Sequence, residues 1–429
     1  MEPVDTLVSA RWVMPVEPDG RVLEHHSVAI RSGRIEAVLP TAEARLRYDA
    51  GETLDRPHHV LLPGLVNAHT HAAMVLMRVE HRWVDPEDVR DGTELAIAEM
   101  LRGGITCFAD MHLWPDVVAR TAAAAQMRAS VGLVVTEAAT SWAATADEYI
   151  DRGMRLRDEY KVDPLISTHF APHSPYSASD GTLARVRRLA DELDLPVAVH
   201  QHETAVEVEQ SLQACGKRPL ARLAALGLAS PQLVAIHMTQ VEPEDLDLLA
   251  EARASVVHCP ESNLQRGAGV CPVAQLLGRG IRVALGTDGA ASNNDLDLLA
   301  EARIAGFISA GVAATPGALI ASDLVRMATL EGALTLGLGE VTGSLVPGKW
   351  ADLCCIDLRA PRSWPVHDVA TAVIYAASSQ QVTDTWVAGR RLLADGRLRT
   401  VDESAVLERA EAWAARLDAT APTEDSANG

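Results

Sequence analysis

Five side chains able to ligate a metal are spread over more than two hundred residues: His69 and His71 in NAHTHAAM, His200 in VAVHQHET, His237 in VAIHMTQ and Asp288 in ALGTDGAAS. Each stands just after a short apolar run with the composition of a β-strand. In a parallel barrel the C-terminal ends of the strands ring one mouth, so residues distant in sequence meet there around one ion. Imidazole and carboxylate without thiolate suit Zn²⁺, with Fe²⁺ or Mn²⁺ as alternatives. On extended chain the two rings of His-x-His point to one side and can grip the same ion. His69, His71, His200 and Asp288 would then supply three imidazoles and one carboxylate, with a position left for water. Water held by such an ion has its pKa lowered to roughly 7 and becomes a hydroxide source at neutral pH. A metal-dependent hydrolase is the expectation. His237 is read as orienting and deprotonating the water, and Glu203, three residues after His200, as carrying a proton between water and substrate. Two-metal barrels of this type usually bridge their ions through a carbamylated lysine on the fourth strand; LISTHFAPH contains no lysine, so one metal per subunit is expected.

The elements that must position these residues are legible as alternation. Apolar β-rich runs at 61–68, 105–111, 131–137, 164–170, 196–201, 233–237, 254–258 and 281–287 are separated by helical patterns. Eight strands is the number that closes a (β/α)8, TIM-like barrel. Arg90 to Gly104 has apolar residues at helical spacing and ends on glycine, 323–338 reads as one more helix, and 403–417 as a terminal helix. Both chain ends are β-rich. Ser32-Gly33 and Ala388-Gly389 are hairpin turns between strand-like runs, and the ends are expected to pair as one small β-sandwich. The expected layout is therefore a composite β-sandwich from 1–58 and 345–400, a catalytic barrel over 59–344, and a helix with a loose polar tail over 401–429.

Composition narrows the partners. Of the 429 residues, 38 are Lys or Arg and 58 are Asp or Glu, a formal charge of −20, which repels nucleic acid and anionic lipid. A small-molecule substrate fits better. The start, MEPVDTLVSA, lacks a basic segment followed by an apolar core, and no stretch approaches the roughly 18 apolar residues of a membrane helix, so no membrane association and a cytoplasmic location are expected. The six cysteines are scattered without a C-x-x-C pair and are read as reduced thiols. Arg185, Arg187 and Arg188 are read as the solvated face of an outer helix.

Taken together, PGLVNAHTHAAM, APHSPYSAS, HQHET, HMTQ, HCPESN, GTDGAASNNDLDLL and the late PGKWADL resemble the amidohydrolase superfamily over nearly the whole chain. They are most similar to its 5-methylthioadenosine/S-adenosylhomocysteine deaminase branch, which is related to the chlorotriazine hydrolases. The resemblance implies metal bound by His69, His71, His200 and Asp288, with His237 beside the attacking water. It implies that Glu203 shuttles a proton to a ring nitrogen and that Asp288 takes the water's proton and helps pass it to departing ammonia. His173 matches a position that contacts the purine-like ring, while His202, His258 and Asn293 match supporting positions. Homo-oligomers are expected, since relatives form dimers or tetramers. One departure concerns the lid: only Ala72 to Val89 links His71 to the first helix, where relatives carry a longer acidic, Trp-containing loop that holds the ribose. Met74, Trp83 and Glu80 are the candidate substrate contacts left in that segment. The arginines that hold a homocysteine carboxylate in some relatives have no counterpart between Val134 and Tyr149, which favours methylthioadenosine or adenosine over S-adenosylhomocysteine. Two other readings use the same residues: hydrolysis of a free base or triazine-type ring, and a variant impaired by the shortened lid.

Overall fold

The computed structural model describes residues 1–76 and 85–420. Its centre is a parallel sheet of eight strands in sequential order: β5 (Leu65–Thr70), β6 (Ile105–Asp110), β7 (Arg128–Val135), β8 (Ile166–Pro172), β9 (Val197–Gln201), β10 (Leu233–His237), β11 (Ser255–His258) and β12 (Arg282–Leu285). All eight expected runs form strands, and most residues in them are buried, as parallel strands covered on both faces must be. Closure comes at the last contact. A parallel bridge joins Thr70 to Asp288, Asp288 N donates to His69 O at 3.1 Å, and Asn67 Nδ2 donates to Thr287 Oγ1 at 2.8 Å. The seam that closes the barrel thus carries three of the expected metal ligands at one place. Val134, Ala171, Ala198, Val234, Ile236, Val257 and Ala284, drawn from six strands, pack together inside the barrel, while a larger apolar cluster lies between the strands and the outer helices.

The chain ends build a second, mixed sheet: β1 (Glu2–Val13), β2 (Leu23–Arg31), β3 (Arg34–Pro40), β4 (Tyr48–Pro63), β13 (Leu353–Asp357), β14 (Val382–Val387), β15 (Arg390–Ala394) and β16 (Arg397–Leu398). It is one continuous hydrogen-bonded sheet in the order β16-β15-β14-β13-β4-β1-β2-β3. Its two wings curl together over a shared core that includes Val8, Ile30, Leu61, Leu353 and Trp386. Leu61–Pro63, expected at the start of the first barrel strand, belong to β4 instead. Both expected hairpin turns form, with φ of 52° and 76° at Ser32-Gly33 and of 48° and 76° at Ala388-Gly389. Positive φ at both central residues is the type I′ geometry that matches strand twist. The two tips touch: a Cβ on Gly33 would lie 2.5 Å from Ala388 O.

The terminal helix is Glu403–Thr420, held to helix Pro86–Arg102 by Trp413 Nε1 donating to Asp91 at 3.0 Å. The helix expected over 323–338 is two, Ala321–Met327 and Leu330–Thr335, with Thr329 between them at φ −131°, ψ −91°. The break lets Gly332 settle onto β5, where a Cβ would lie 2.9 Å from Val66 Cβ. All six cysteines are free thiols. No described helix is long and apolar enough to cross a membrane. Arg185, Arg187 and Arg188 lie on helix Asp180–Leu193 and pair with Asp147, Asp191 and Glu192 respectively.

Candidate active site

His69 lies on β5 and His71 just beyond it, His200 is on β9, and Asp288 follows β12; all four are buried. One ligand atom from each falls within 4.8 Å of the others. His69 Nε2 lies 3.3 Å from His200 Nε2 and 3.4 Å from Asp288 Oδ1, and His71 Nε2 lies 3.4 Å from the same oxygen. Donors about 2.0–2.1 Å from a common centre stand about 3.3–3.4 Å apart in a tetrahedron, so these three separations match one zinc-sized ion. The rings are also fixed from behind. His200 Nδ1 donates to His173 O at 2.6 Å and His71 Nδ1 to Met111 O, so each presents Nε2 to the centre. Burial holds His71 down at about 3 and His200 well below the ordinary imidazole range, so both rings stay neutral, the form that ligates.

Asp288 departs from extended geometry, with φ of 59°, and so does His237, with φ of 78°. Such strain persists where the surroundings over-determine it, commonly at functional sites. Asp288 Oδ1 faces His69 and His71 and accepts from Gly289 N at 2.8 Å. Oδ2 accepts from Ser262 Oγ at 2.5 Å and Ser292 Oγ at 3.1 Å. Burial pushes this carboxyl up, but the hydrogen bond from His69 and the electrostatic influence of the facing imidazoles outweigh it, and Asp288 is held well below the usual carboxylate range. His237 lies beside the cluster, its ring centroid 5.4 Å from that of His200, with Asn263 Nδ2 3.0 Å from its Nδ1. Burial lowers it to about 4. His202 works outside the cluster: Nδ1 donates to Gln240 O and Nε2 accepts from Leu220 N at 3.0 Å, tying three loops together.

A cavity of about 490 Å³ opens over the cluster, lined by Met74, His173, Tyr176, Glu203, Glu207, Arg266, Ala291 and Ser292 together with His71, His200, His237 and Asp288. That is the size of a small-molecule site. Burial raises the Glu203 carboxyl, opposed by Arg266, whose guanidinium stands 3.3 Å from Glu203 Oε1. Burial pushes Glu207 to about 7 against the lowering effect of the Glu203 backbone N–H. Of the expected site residues, His69, His71, His173, His200, Glu203, His237, Asp288 and Met74 converge here. Trp83 and Glu80 fall outside the described residues. Ser262, Asn263, Ser292, Tyr176, Glu207 and Arg266 were not assigned from sequence. The first three sit inside the HCPESN and GTDGAASNND motifs, and Glu207 is the fourth residue of a T-x-x-E capping signature, so those signals existed. For Tyr176 and Arg266 there was none.

A cluster of three imidazoles and one carboxylate at the mouth of a (β/α)8 barrel defines a class, and the sequence comparison agrees with it. The amidohydrolase family pattern matches residues 60–392, and the chain belongs to that family. It is 42% identical to a 5-methylthioadenosine/S-adenosylhomocysteine deaminase of Teredinibacter turnerae over 97% of this chain and 98% of that one. A crystal structure of an adenosine deaminase from Xanthomonas campestris with bound zinc superposes with a TM-score of 0.96 at 46% identity, covering 98% of this chain and all of that one. The chain is accordingly a hydrolase acting on C–N bonds, of the deaminase kind. A triazine hydrolase superposes with a TM-score of 0.88 but at 23% identity, and shares the fold.

Proposed function

We propose that this chain is a zinc-dependent aminohydrolase of adenine nucleosides, with adenosine and 5-methylthioadenosine ahead of S-adenosylhomocysteine. The observation that carries the reading is the convergence of His69, His71, His200 and Asp288 on one centre at the floor of a cavity that also holds Glu203 and His237. The names of its relatives supply the substrate class. A divalent ion bound by the four donors supplies Lewis acidity and makes water a nucleophile at neutral pH. The residues do the rest. Asp288, anchored through Oδ2 by two serines, takes a proton from the attacking water and later delivers it to the departing amine. Glu203, a carboxyl kept ready to hold a proton by burial, protonates the ring nitrogen next to the reacting carbon. The bond from water oxygen to carbon forms; as the carbon–nitrogen bond breaks and ammonia leaves with the proton delivered by Asp288, the remaining proton on the attacking oxygen passes to Glu203, which restores its acid form. With Nδ1 accepting from Asn263, a neutral His237 carries its proton on Nε2 and holds the reacting oxygen as a donor.

Arg266 is the only Lys or Arg among the described residues lining the cavity, and it already faces Glu203. A homocysteine carboxylate would therefore compete with that pair, which ranks S-adenosylhomocysteine last. The test is a steady-state assay of zinc-loaded protein against adenosine, 5-methylthioadenosine and S-adenosylhomocysteine, following ammonia and the adenine-to-hypoxanthine absorbance change. Turnover of the first two above the third is the expected result. A fully zinc-loaded protein that turns over none of them would overturn the reading. Glu203→Gln is expected to retain zinc and lose at least about 100-fold in kcat, the scale of general acid–base assistance.

A further inference from the structure

Between β9 and helix Ala205–Cys215 the chain passes His202, Glu203 and Thr204. Thr204 caps the helix, its hydroxyl accepting from Glu207 N at 3.2 Å, and Glu207 reaches back so that its Oε2 accepts from Glu203 N at 2.8 Å. To that extent Glu207 is a helix-capping residue. Capping leaves its other oxygen unexplained. Glu207 is 7% exposed, and its Oε1 is buried with no hydrogen-bond partner among the described residues. An acceptor in that condition costs free energy unless a donor reaches it. The side chain lines the cavity over the donor cluster, beside Glu203. It also lines a second cavity, of about 470 Å³, that shares only Tyr176 and Glu207 with the first and whose wall carries Gln210, Ser211 and the paired Asp180 and Arg222. Glu207 therefore stands where the two cavities meet.

We propose that Glu207 is a substrate-binding residue whose Oε1 accepts a hydrogen bond from a sugar hydroxyl of the nucleoside while Oε2 holds the backbone of Glu203. The inference rests on the aminohydrolase reading above. The class of donor follows from the chemistry of the substrate. Adenine presents one exocyclic amine, and that group sits on the reacting carbon at the metal centre. The remaining O–H and N–H donors of adenosine and 5-methylthioadenosine are their sugar hydroxyls. A single residue then couples two tasks: it fixes the backbone that carries the proton-transferring Glu203, and it registers that a nucleoside, with its sugar, is in place.

Glu207→Gln isolates the second task. The amide oxygen can keep the bond from Glu203 N, while the NH₂ replaces the free acceptor with a donor of the same shape. The experiment compares kcat/KM of wild type and E207Q for adenosine and for its 2′-, 3′- and 5′-deoxy analogues, with zinc content and Tm measured alongside. The expected result is a loss of about tenfold for adenosine, mostly in KM, shrinking to less than about threefold for the analogue that lacks the contacted hydroxyl. An equal loss across all four nucleosides, or no loss with adenosine, overturns the proposal and leaves Glu207 as a cap alone. Should E207Q fail to fold, Glu207→Asp withdraws the same oxygen by one methylene and must show the same dependence on the analogue. Thr204→Val, which weakens the cap and spares the carboxylate, must show none. A wild type that turns over no adenine nucleoside removes the parent reading, whereas a working wild type with a substrate-blind E207Q removes this one only.

Discussion

Asp288 illustrates how much of the site is decided by single atoms. One of its oxygens faces the imidazoles, and the other is held by Ser262 at 2.5 Å and Ser292 at 3.1 Å. Partners behind a ligand orient it and tune its basicity, and their loss typically costs 10–100-fold in affinity or activity. Ser262→Ala, which removes the shorter of the two bonds, should weaken zinc binding about tenfold in a chelator competition titration and lower kcat with it; unchanged affinity would show that Ser292 suffices. His69→Ala should abolish stoichiometric zinc and lower Tm, and a variant that still holds a full complement of zinc would remove His69 from the ligand set. A third prediction concerns His258 at the end of β11, where burial first and the His237 charge second press its pKa down to about 3. Between that value and the ordinary 6.5 or so, the unfolded chain binds a proton that the folded one refuses, so its share of stability is full above pH 6.5 and drains away as pH falls towards 3. His258→Gln should therefore flatten the dependence of unfolding free energy on pH by about 1.4 kcal/mol per unit below 6.5. Urea titrations at pH 7, 6 and 5 measure it, and parallel curves for the two proteins would refute it. At this scale the sequence was most informative where a residue type has few other uses: histidines and an aspartate at strand ends stood out, as did Glu203. Arg266 and Tyr176 did not, because an arginine or tyrosine on a loop is ordinary until tertiary structure turns it into a cavity.

Elements position the site through close approach. Helix Pro86–Arg102 crosses the short 3₁₀ turn Ala72–Leu76 so tightly that a Cβ on Gly92 would lie 2.4 Å from Ala73 O and 2.8 Å from Ala73 Cα. That turn begins one residue after His71 and carries Met74, which lines the cavity. In turn, a Cβ on Gly289, next to Asp288, would lie 2.6 Å from Met74 Sδ and 3.2 Å from His71 Cβ. Helix, turn and strand end are stacked without room for a methyl group. Alanine at position 92 has the better helix propensity by about 1 kcal/mol, so an isolated helix would gain from it. Gly92→Ala should nonetheless lower stability by about 1–3 kcal/mol, the usual cost of overpacking, and raise KM as Met74 is displaced. Thermal unfolding and steady-state kinetics check this, and an equal or higher Tm would mean that the helix can slide without cost. Period and turn chemistry revealed most elements, including both type I′ hairpins and all eight barrel strands. They misjudged 323–338, where a continuous helical period hides the bend at Thr329 that lets Gly332 rest on Val66. A periodic pattern reports which face is apolar, and says nothing about where a neighbouring strand forces a break.

At the scale of the whole molecule, the barrel and the end-built sheet are joined by one buried ion pair. Arg128, the first residue of β7, is 2% exposed and donates through Nε to Asp352 Oδ2 at 2.7 Å and through Nη2 to Oδ1 at 3.2 Å. Asp352 also accepts from Ala388 N at the tip of the β14–β15 hairpin, and its carbonyl accepts from Gly64 N, in the single residue between β4 and β5. One aspartate therefore gathers a barrel strand, the crossing point between the two sheets and a hairpin tip. Nothing in the local pattern of PGKWADL announces this, because its partners lie 224 residues upstream and 36 downstream. Charges this deeply buried are expensive to bring out of water, and the attraction between them roughly offsets that expense, so the pair as a whole adds little net stability while either half alone is a liability. Asp352→Asn keeps the shape but strands the guanidinium and should cost about 3–5 kcal/mol. Replacing both residues together, Arg128→Met with Asp352→Leu, should recover much of that loss, leaving the unpaired Ala388 N–H as the residual defect. Urea unfolding of the two single variants and the double variant forms a closed cycle. A double variant as unstable as the sum of its parts would mean that the two groups act independently, and that their pairing adds nothing to the union of the barrel and the sheet.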